Sequence, residues 1–215
     1  MIYLRHLLIC FAFAVLGTSV ASAQAVTDKF NNAPLAGGLL DFSNSGATPT
    51  FLTFGAGNNI VEGSMGWNGS TLDADIWTFT IASGFEVSAI NLVSYNGPNP
   101  VIPNGHFMAL ASGNTIDTAQ SVNHLSNGLF TEVLGPGGNT NTNLLAILQA
   151  GPAFGGIGFT GNLQAGDYTF WVQEGTNFVN QYCIDFVVTP VPEPGSALLL
   201  GAASFLCLRR RRPRK

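Results

Sequence analysis

Ile76-Trp77-Thr78-Phe79-Thr80-Ile81 decides the fold. Trp77, Phe79 and Ile81 alternate with smaller polar neighbours, so every second side chain is suited to a core and the intervening ones to a wetter face. That is the period of a β-strand, and β-branched and aromatic residues are the types that pack well on a pleated surface. Working outward, the turn pair Ser83-Gly84 leads into a second strand, Glu86 to Tyr95, with Ile90, Leu92 and Ser94 on one face. Further strands are predicted at Gly105–Ala111, Gly128–Leu134 and Leu144–Gln149, the last of them ambiguous between strand and helix. Tyr168–Val172 places Tyr168, Phe170 and Val172 on one side, and Tyr182–Val188 turns Tyr182, Ile184, Phe186 and Val188 inward. Asn96-Gly97-Pro98-Asn99-Pro100 and Gly135-Pro136-Gly137-Gly138-Asn139 punctuate the series, because glycine and proline break regular pairing. Strands at this spacing predict an all-β domain over residues 24–190, an antiparallel β-sandwich.

Only 9% of the 215 residues are charged, against roughly 25% in an ordinary soluble domain. The 46% hydrophobic content is enough to bury a core, and the length suits one domain with end segments. The charges are segregated. Seven of the eight basic residues are Arg5, Arg209, Arg210, Arg211, Arg212, Arg214 and Lys215, which leaves Lys29 as the sole lysine or arginine between Gln24 and Pro190. Eleven acids share that stretch, giving it a net charge of −10. So anionic a body has no electrostatic hold on phosphate, which excludes nucleic-acid binding.

The ends read as addresses. Arg5, the uncharged run Leu7–Leu16 and the small residues up to Ala21-Ser22-Ala23 form a secretory signal over residues 1–23, with cleavage expected between Ala23 and Gln24. At the other end, Gly195 to Leu208 is an uncharged stretch that would span about 21 Å as a helix, short of the roughly 30 Å hydrocarbon core. Flanking arginines can snorkel and the bilayer can thin, so a short transmembrane helix over 195–208 is expected. The basic tail 209–215, led by Arg209, Arg210, Arg211 and Arg212, fixes that tip in the cytoplasm by the positive-inside rule. The body is then held outside. Of the three cysteines, Cys10 and Cys207 fall in the end segments and Cys183 stands alone in the body, so no internal disulfide is expected there.

Pro192-Glu193-Pro194, the short apolar run and the arginine cluster, in that order, resemble the PEP-CTERM sorting signal of Gram-negative and related bacteria. The resemblance covers residues 191–215. It implies recognition by an exosortase, an integral membrane protease-transpeptidase, while the precursor sits transiently in the inner membrane. It further implies cleavage near the motif and delivery to the cell surface or an exopolysaccharide matrix.

Ile60-Val61-Glu62-Gly63-Ser64, Asp73-Ala74-Asp75-Ile76-Trp77-Thr78-Phe79, Ala165-Gly166-Asp167-Tyr168 and the strand Tyr182–Val188 resemble, in order and spacing, the bacterial pre-peptidase C-terminal β-sandwich. That resemblance implies a jelly-roll-like sandwich of the kind that accompanies secreted enzymes in carbohydrate- or surface-binding roles. Here no catalytic domain accompanies it.

Asp73 and Asp75, at i and i+2, share a strand face about 7 Å apart. With Glu62 and backbone carbonyls they form a candidate Ca²⁺ site, since that cation takes six to eight oxygens. Two solvated carboxylates at a strand edge is the competing reading. Trp67, in Gly66-Trp67-Asn68-Gly69, and Trp171, opposite in parity to Phe170, are candidates for stacking on sugar rings or, equally, for capping the core. Gly156-Ile157-Gly158-Phe159-Thr160-Gly161 has the spacing of a dinucleotide loop but no following helix, so it reads as hairpin sequence. His106 and His124 stand apart, and no Gly-x-Ser-x-Gly or His-Glu-x-x-His motif occurs. Asp167 and Glu174 make a formal glycosidase pair but have opposite strand parity. The expectation is a non-catalytic structural or binding protein of the cell surface or matrix. A carbohydrate-binding module and a secreted hydrolase are the alternatives.

Overall fold

The computed structural model describes residues 24–27, 41–67, 72–96, 106–120, 123–130, 139–150, 155–173 and 179–191. The signal segment with Ala23, the Pro192-Glu193-Pro194 motif, the run 195–208, the arginines 209–212, Lys29 and Glu174 lie outside them. Among the described residues no helix is long and apolar enough to cross a membrane.

The chain forms β1 (Gln24–Thr27), β2 (Thr50–Thr53), β3 (Gly57–Trp67), β4 (Leu72–Ile81), β5 (Phe85–Asn96), β6 (His106–Ser112), β7 (His124–Phe130), β8 (Asn139–Asn143), helix α1 (Leu144–Ala150), β9 (Gly166–Gln173) and β10 (Val179–Pro190). Along the main path the order is β7-β6-β9-β4-β3-β10-β5-β8, all antiparallel. β3 and β4 pair only at Gly66↔Asp73 and Trp67↔Leu72, beside the link between them. Beyond that short seam the strands diverge, so the ten-stranded sheet curls over on itself into a sandwich-like half-barrel. One wall carries β3-β10-β5-β8 and the other β4-β9-β6-β7.

Two features depart from a purely antiparallel sandwich. β1 adds to β3, and β2 to β4, in parallel, each covering the flank that the diverging partner leaves open. Residues Leu144–Ala150 form a helix, which resolves the ambiguous segment against the strand reading. Leu144, Leu145 and Leu148 are its buried side chains, the i, i+1, i+4 pattern of one helical face. Asn143 Oδ1 accepts the Leu145 N–H at 3.0 Å and so caps its start. The helix packs on β5 and β7.

The inward faces follow the period-two reading. Trp77, Phe79, Ile81, Phe170, Val172, Tyr182, Ile184, Phe186 and Val188 share one core with Phe42, Val61, Met65, Ile90 and Leu92. Trp77 is its hub, with ring centroids 5.3 Å from Phe42, 5.1 Å from Phe170 and 6.2 Å from Phe186. Tilted and edge-on rings at such separations add about 0.5–1.5 kcal/mol per pair to burial itself. In β5 the face assignment fails at one residue. A register shift between Leu92 and Ser94 in the β5–β8 pairing, and one between Cys183 and Ile184 on β10, turn Ser94 out and bury Tyr95.

A second, smaller cluster lies on the outer face of β4-β9-β6. Ala74, Ile76, Ala109, Ala111 and Trp171 are covered there by Ile116 from the loop after β6. That loop is fastened by Gly113 N–H to Asp167 O at 2.7 Å, Thr169 Oγ1 to Gly113 O at 2.7 Å and Ile116 N–H to Gly46 O at 2.9 Å.

Candidate functional site

At the start of β4, Asp73 and Asp75 have the inward parity of Trp77, and both are fully buried. Asp41, in the segment that plugs Phe42 against Trp77, completes a group whose three carboxylates each offer an oxygen within 4.8 Å of the others. Asn44 fixes this corner. Its Oδ1 accepts the Ala74 N–H at 2.5 Å and its Nδ2 donates to Asp73 Oδ1 at 3.3 Å. From the opposite wall the Tyr182 hydroxyl donates to Asp75 Oδ2 at 2.7 Å. The close approach depends on Gly63, which faces Tyr182 across the β3–β10 ladder and at which a Cβ would overlap the phenol ring.

The candidate cation site is therefore corrected in one member. Glu62 does not join Asp73 and Asp75. Val61, Gly63 and Met65 point inward along β3, so Glu62 has the outward parity, is exposed, and lies opposite Cys183. Asp41 takes its place. As a donor set, three carboxylates and no sulfur or imidazole suit a hard divalent cation such as Ca²⁺. Three carboxylates would supply part of the six to eight oxygens that this cation takes.

The tryptophan candidates separate. Trp67 is half-buried at the end of β3. Trp171 is only 8% exposed, with Phe107 edge-on at 4.6 Å and His124 edge-on at 6.2 Å, so its ring face is not a platform for a sugar. The parity opposite to Phe170 is as expected. What the pattern could not show is that the loop carrying Ile116 folds over this face. Among the described residues the buried Trp171 indole N–H has no hydrogen-bond partner, a situation that costs about 1–3 kcal/mol.

The other candidates are accounted for locally. Asp167 is exposed, accepting from Thr80 Oγ1 at 2.6 Å and Asn114 Nδ2 at 3.4 Å. His106 Nδ1 is 3.0 Å from the Tyr95 hydroxyl. His124 is buried between Asn127 Oδ1, on Nδ1, and the Asp117 carbonyl, 2.7 Å from Nε2. Burial, then the charge and hydrogen bond of Glu62, then Asp185, push the Cys183 thiol up to about 11, so it stays protonated and unreactive at neutral pH. The glycine-rich stretch is a loop lying along β7, through Ile157 N–H to His124 O at 2.9 Å and Gly158 N–H to Leu125 O at 2.8 Å. Gly156 has φ +112°, which strains any side chain, and a Cβ there would crowd the Leu125 and Ser126 backbone at 3.0 Å.

Sequence reasoning missed Asp41, which is 32 positions from Asp73 and lies in no strand or motif. It also missed a cleft on the outer face of β4 and β9, lined by Asn44, Leu72, Ala74, Ile76, Thr118, Trp171 and Gln173.

No protein-family model matches the chain, and no curated protein is similar to it. Among solved structures, it is similar to the pre-peptidase C-terminal domain of a collagenase from Bacillus anthracis, at 16% identity and a TM-score of 0.31. That match covers 65% of this chain and 93% of that domain.

Proposed function

We propose that this chain is an exported, non-catalytic surface or matrix protein. Its β-domain is delivered outside the cell and released there by processing at Pro192-Glu193-Pro194. The observation that carries this reading is where the last described strand ends relative to the motif. β10 ends at Pro190, and Val191 makes the last described tie, its N–H donating to Gly84 O at 2.8 Å. The sorting motif begins at the next residue. Cutting at Pro192-Glu193-Pro194 would cost the domain none of its described strand pairs. Charge segregation supports the same topology, with cationic tips and a body of net charge −10 between them. The partners on this reading are an exosortase, the inner membrane in transit and the exopolysaccharide of the matrix.

The test is a reporter active only outside the cytoplasm, fused after Thr189, together with replacement of Pro192, Glu193 and Pro194 by alanine in the intact chain. The expected result is an active reporter, and a triple variant that remains in the membrane fraction while the parent chain reaches the surface. A reporter active only in the cytosol would contradict the reading.

A second reading concerns the cofactor and is favoured by the Asp41–Asp73–Asp75 group. Calcium bound there would join the segment before β2 to the start of β4 at the corner where the two walls meet. The metal's part would be structural.

A further inference from the structure

β1 opens the domain, and its first residue is the one that follows the expected cleavage between Ala23 and Gln24. Gln24, Ala25, Val26 and Thr27 lie in parallel register with Asn59, Ile60, Val61 and Glu62 of β3. β4 meets β3 only at Gly66 and Trp67, so along Asn59–Glu62 the flank of β3 away from β10 belongs to β1. Val26 anchors the strand, packed against the main core opposite Val61.

The berth for β1 is built by other strands. β10 pairs with β3 from Gly57 to Gly66 on the far side. Buried Asn59 ties this edge to its surroundings, its Nδ2 donating to Gly55 O at 2.9 Å and Phe186 O at 3.1 Å, and its N–H to Asp185 Oδ1 at 3.1 Å. The ladder that receives β1 is thus held in place from the β10 side.

We infer that pairing of β1 with β3 and removal of the N-terminal segment are mutually exclusive: cleavage comes first, and β1 then docks to complete the sheet. This rests on the export reading, through the expected cut before Gln24. An endoprotease grips its substrate as an extended strand, through the backbone N–H and C=O groups around the bond to be cut. In the folded domain Gln24, on the C-terminal side of that bond, is already in a ladder, and the next three residues follow it there. A chain whose β1 docks first hides the bond and keeps residues 1–23 as an anchor. The sorting motif differs, since β10 ends at Pro190, two positions before Pro192.

The register also puts both attachments at one pole of the domain. Gln24 lies two strand spacings from Phe186, by way of Asn59, and Val191 is five positions beyond Phe186. At about 4.8 Å per strand and 3.3 Å per residue, the two ends are roughly 20 Å apart. β1 runs away from that pole and β10 towards it, because β1 is parallel and β10 antiparallel to β3. A domain that closes before cleavage therefore presents the same pole to the membrane whether it is held by its first segment or by its tail.

The experiment incubates the full chain, refolded in detergent, with a purified bacterial signal peptidase and follows the new Gln24 terminus by mass spectrometry. A peptide of residues 1–40 carries the same bond without β3 and sets the unhindered rate. The full chain is expected to be cut about tenfold or more slowly than the peptide, because only molecules with β1 open are substrates. Val26→Ala, which trims the anchor, should speed cutting of the chain about fivefold and leave the rate for the peptide unchanged. Val172→Ala, in the core on β9, should not speed it, since the opening is local to β1. Equal rates for chain and peptide, no effect of Val26→Ala on the chain, or equal acceleration by Val26→Ala and Val172→Ala would each overturn the inference. Those results leave the export reading to the reporter after Thr189. A peptide that is not cut before Gln24 would overturn the inference together with the cleavage it presupposes.

Discussion

Adding calcium should raise the melting temperature of this protein, and Asp73→Asn should abolish most of the gain. The carboxylates of Asp41, Asp73 and Asp75 offer oxygens within 4.8 Å of one another, and two of the three residues are fully buried. At that separation and an effective dielectric of about 20, two full charges repel by roughly 3.5 kcal/mol, and more where the oxygens lie closer. A divalent cation converts that repulsion into attraction. Extracellular modules bind calcium with dissociation constants of about 10⁻⁴–10⁻³ M, so about 10 mM calcium stabilises by roughly 1.4–2.7 kcal/mol. For a domain of this size, each kcal/mol is worth about 2–4 °C, which sets the expected rise at about 3–11 °C. The assay is differential scanning calorimetry of the chelator-treated chain with and without calcium, with magnesium as a control. Asp73→Asn removes a ligand charge while leaving an acceptor for Asn44, and Asp167→Asn removes an exposed carboxylate elsewhere. Without metal, Asp73→Asn should melt at or above the parent temperature because repulsion is relieved. The reasoning fails if calcium shifts the parent and Asp73→Asn equally, or shifts neither.

Three further outcomes are expected. Gly63→Ala drives a methyl group into the Tyr182 phenol and displaces its hydroxyl from Asp75, so it should cost about 1–3 kcal/mol and lower the melting temperature by roughly 2–12 °C. Burial raises the Asp185 carboxyl above its ordinary 3.8, against the lowering effect of hydrogen bonds from Asn58 Nδ2 at 2.6 Å and Asn59 N–H at 3.1 Å. The folded state therefore holds that proton more tightly than the unfolded one, and the stability due to Asp185 declines as pH rises above 3.8 towards the raised value. Asp185→Asn should remove this decline, seen as a gain over the parent in urea melts that grows with pH across that window. Cys183, held as a buried thiol, should resist iodoacetamide at pH 8 in the native chain and react once urea exposes it, as peptide mapping would show.

Much of the architecture was legible because side-chain alternation in a two-walled sheet is imposed by burial itself. The parities of Trp77-Phe79-Ile81 and Tyr182-Ile184-Phe186-Val188 are those found in the core. The failures have physical causes. Seven residues, Leu144 to Ala150, are too few to display a helical period convincingly, and only the Leu144, Leu145, Leu148 spacing with Asn143 before it marks the helix. Ser94 and Tyr95 exchange faces because register shifts at the strand pairings break the alternation there, and no local sequence signal fixes those shifts. Of the acidic group, the shared strand face of Asp73 and Asp75 was legible from their spacing. Glu62 could have been set aside by carrying the parity of Val61 and Met65 through it, whereas Asp41 reaches the site only through long-range packing of Phe42 on Trp77. The covering of Trp171 likewise depends on a loop contact between Ile116 and Gly46, 70 positions apart.

The central claim, that the body is released outside the cell where its sheet ends, is tested most directly by intact mass spectrometry of the surface-resident protein purified from its host. A polypeptide starting at Gln24 and ending between Val191 and Pro194 is the predicted result. Surface protein that still carries Lys215 would contradict it.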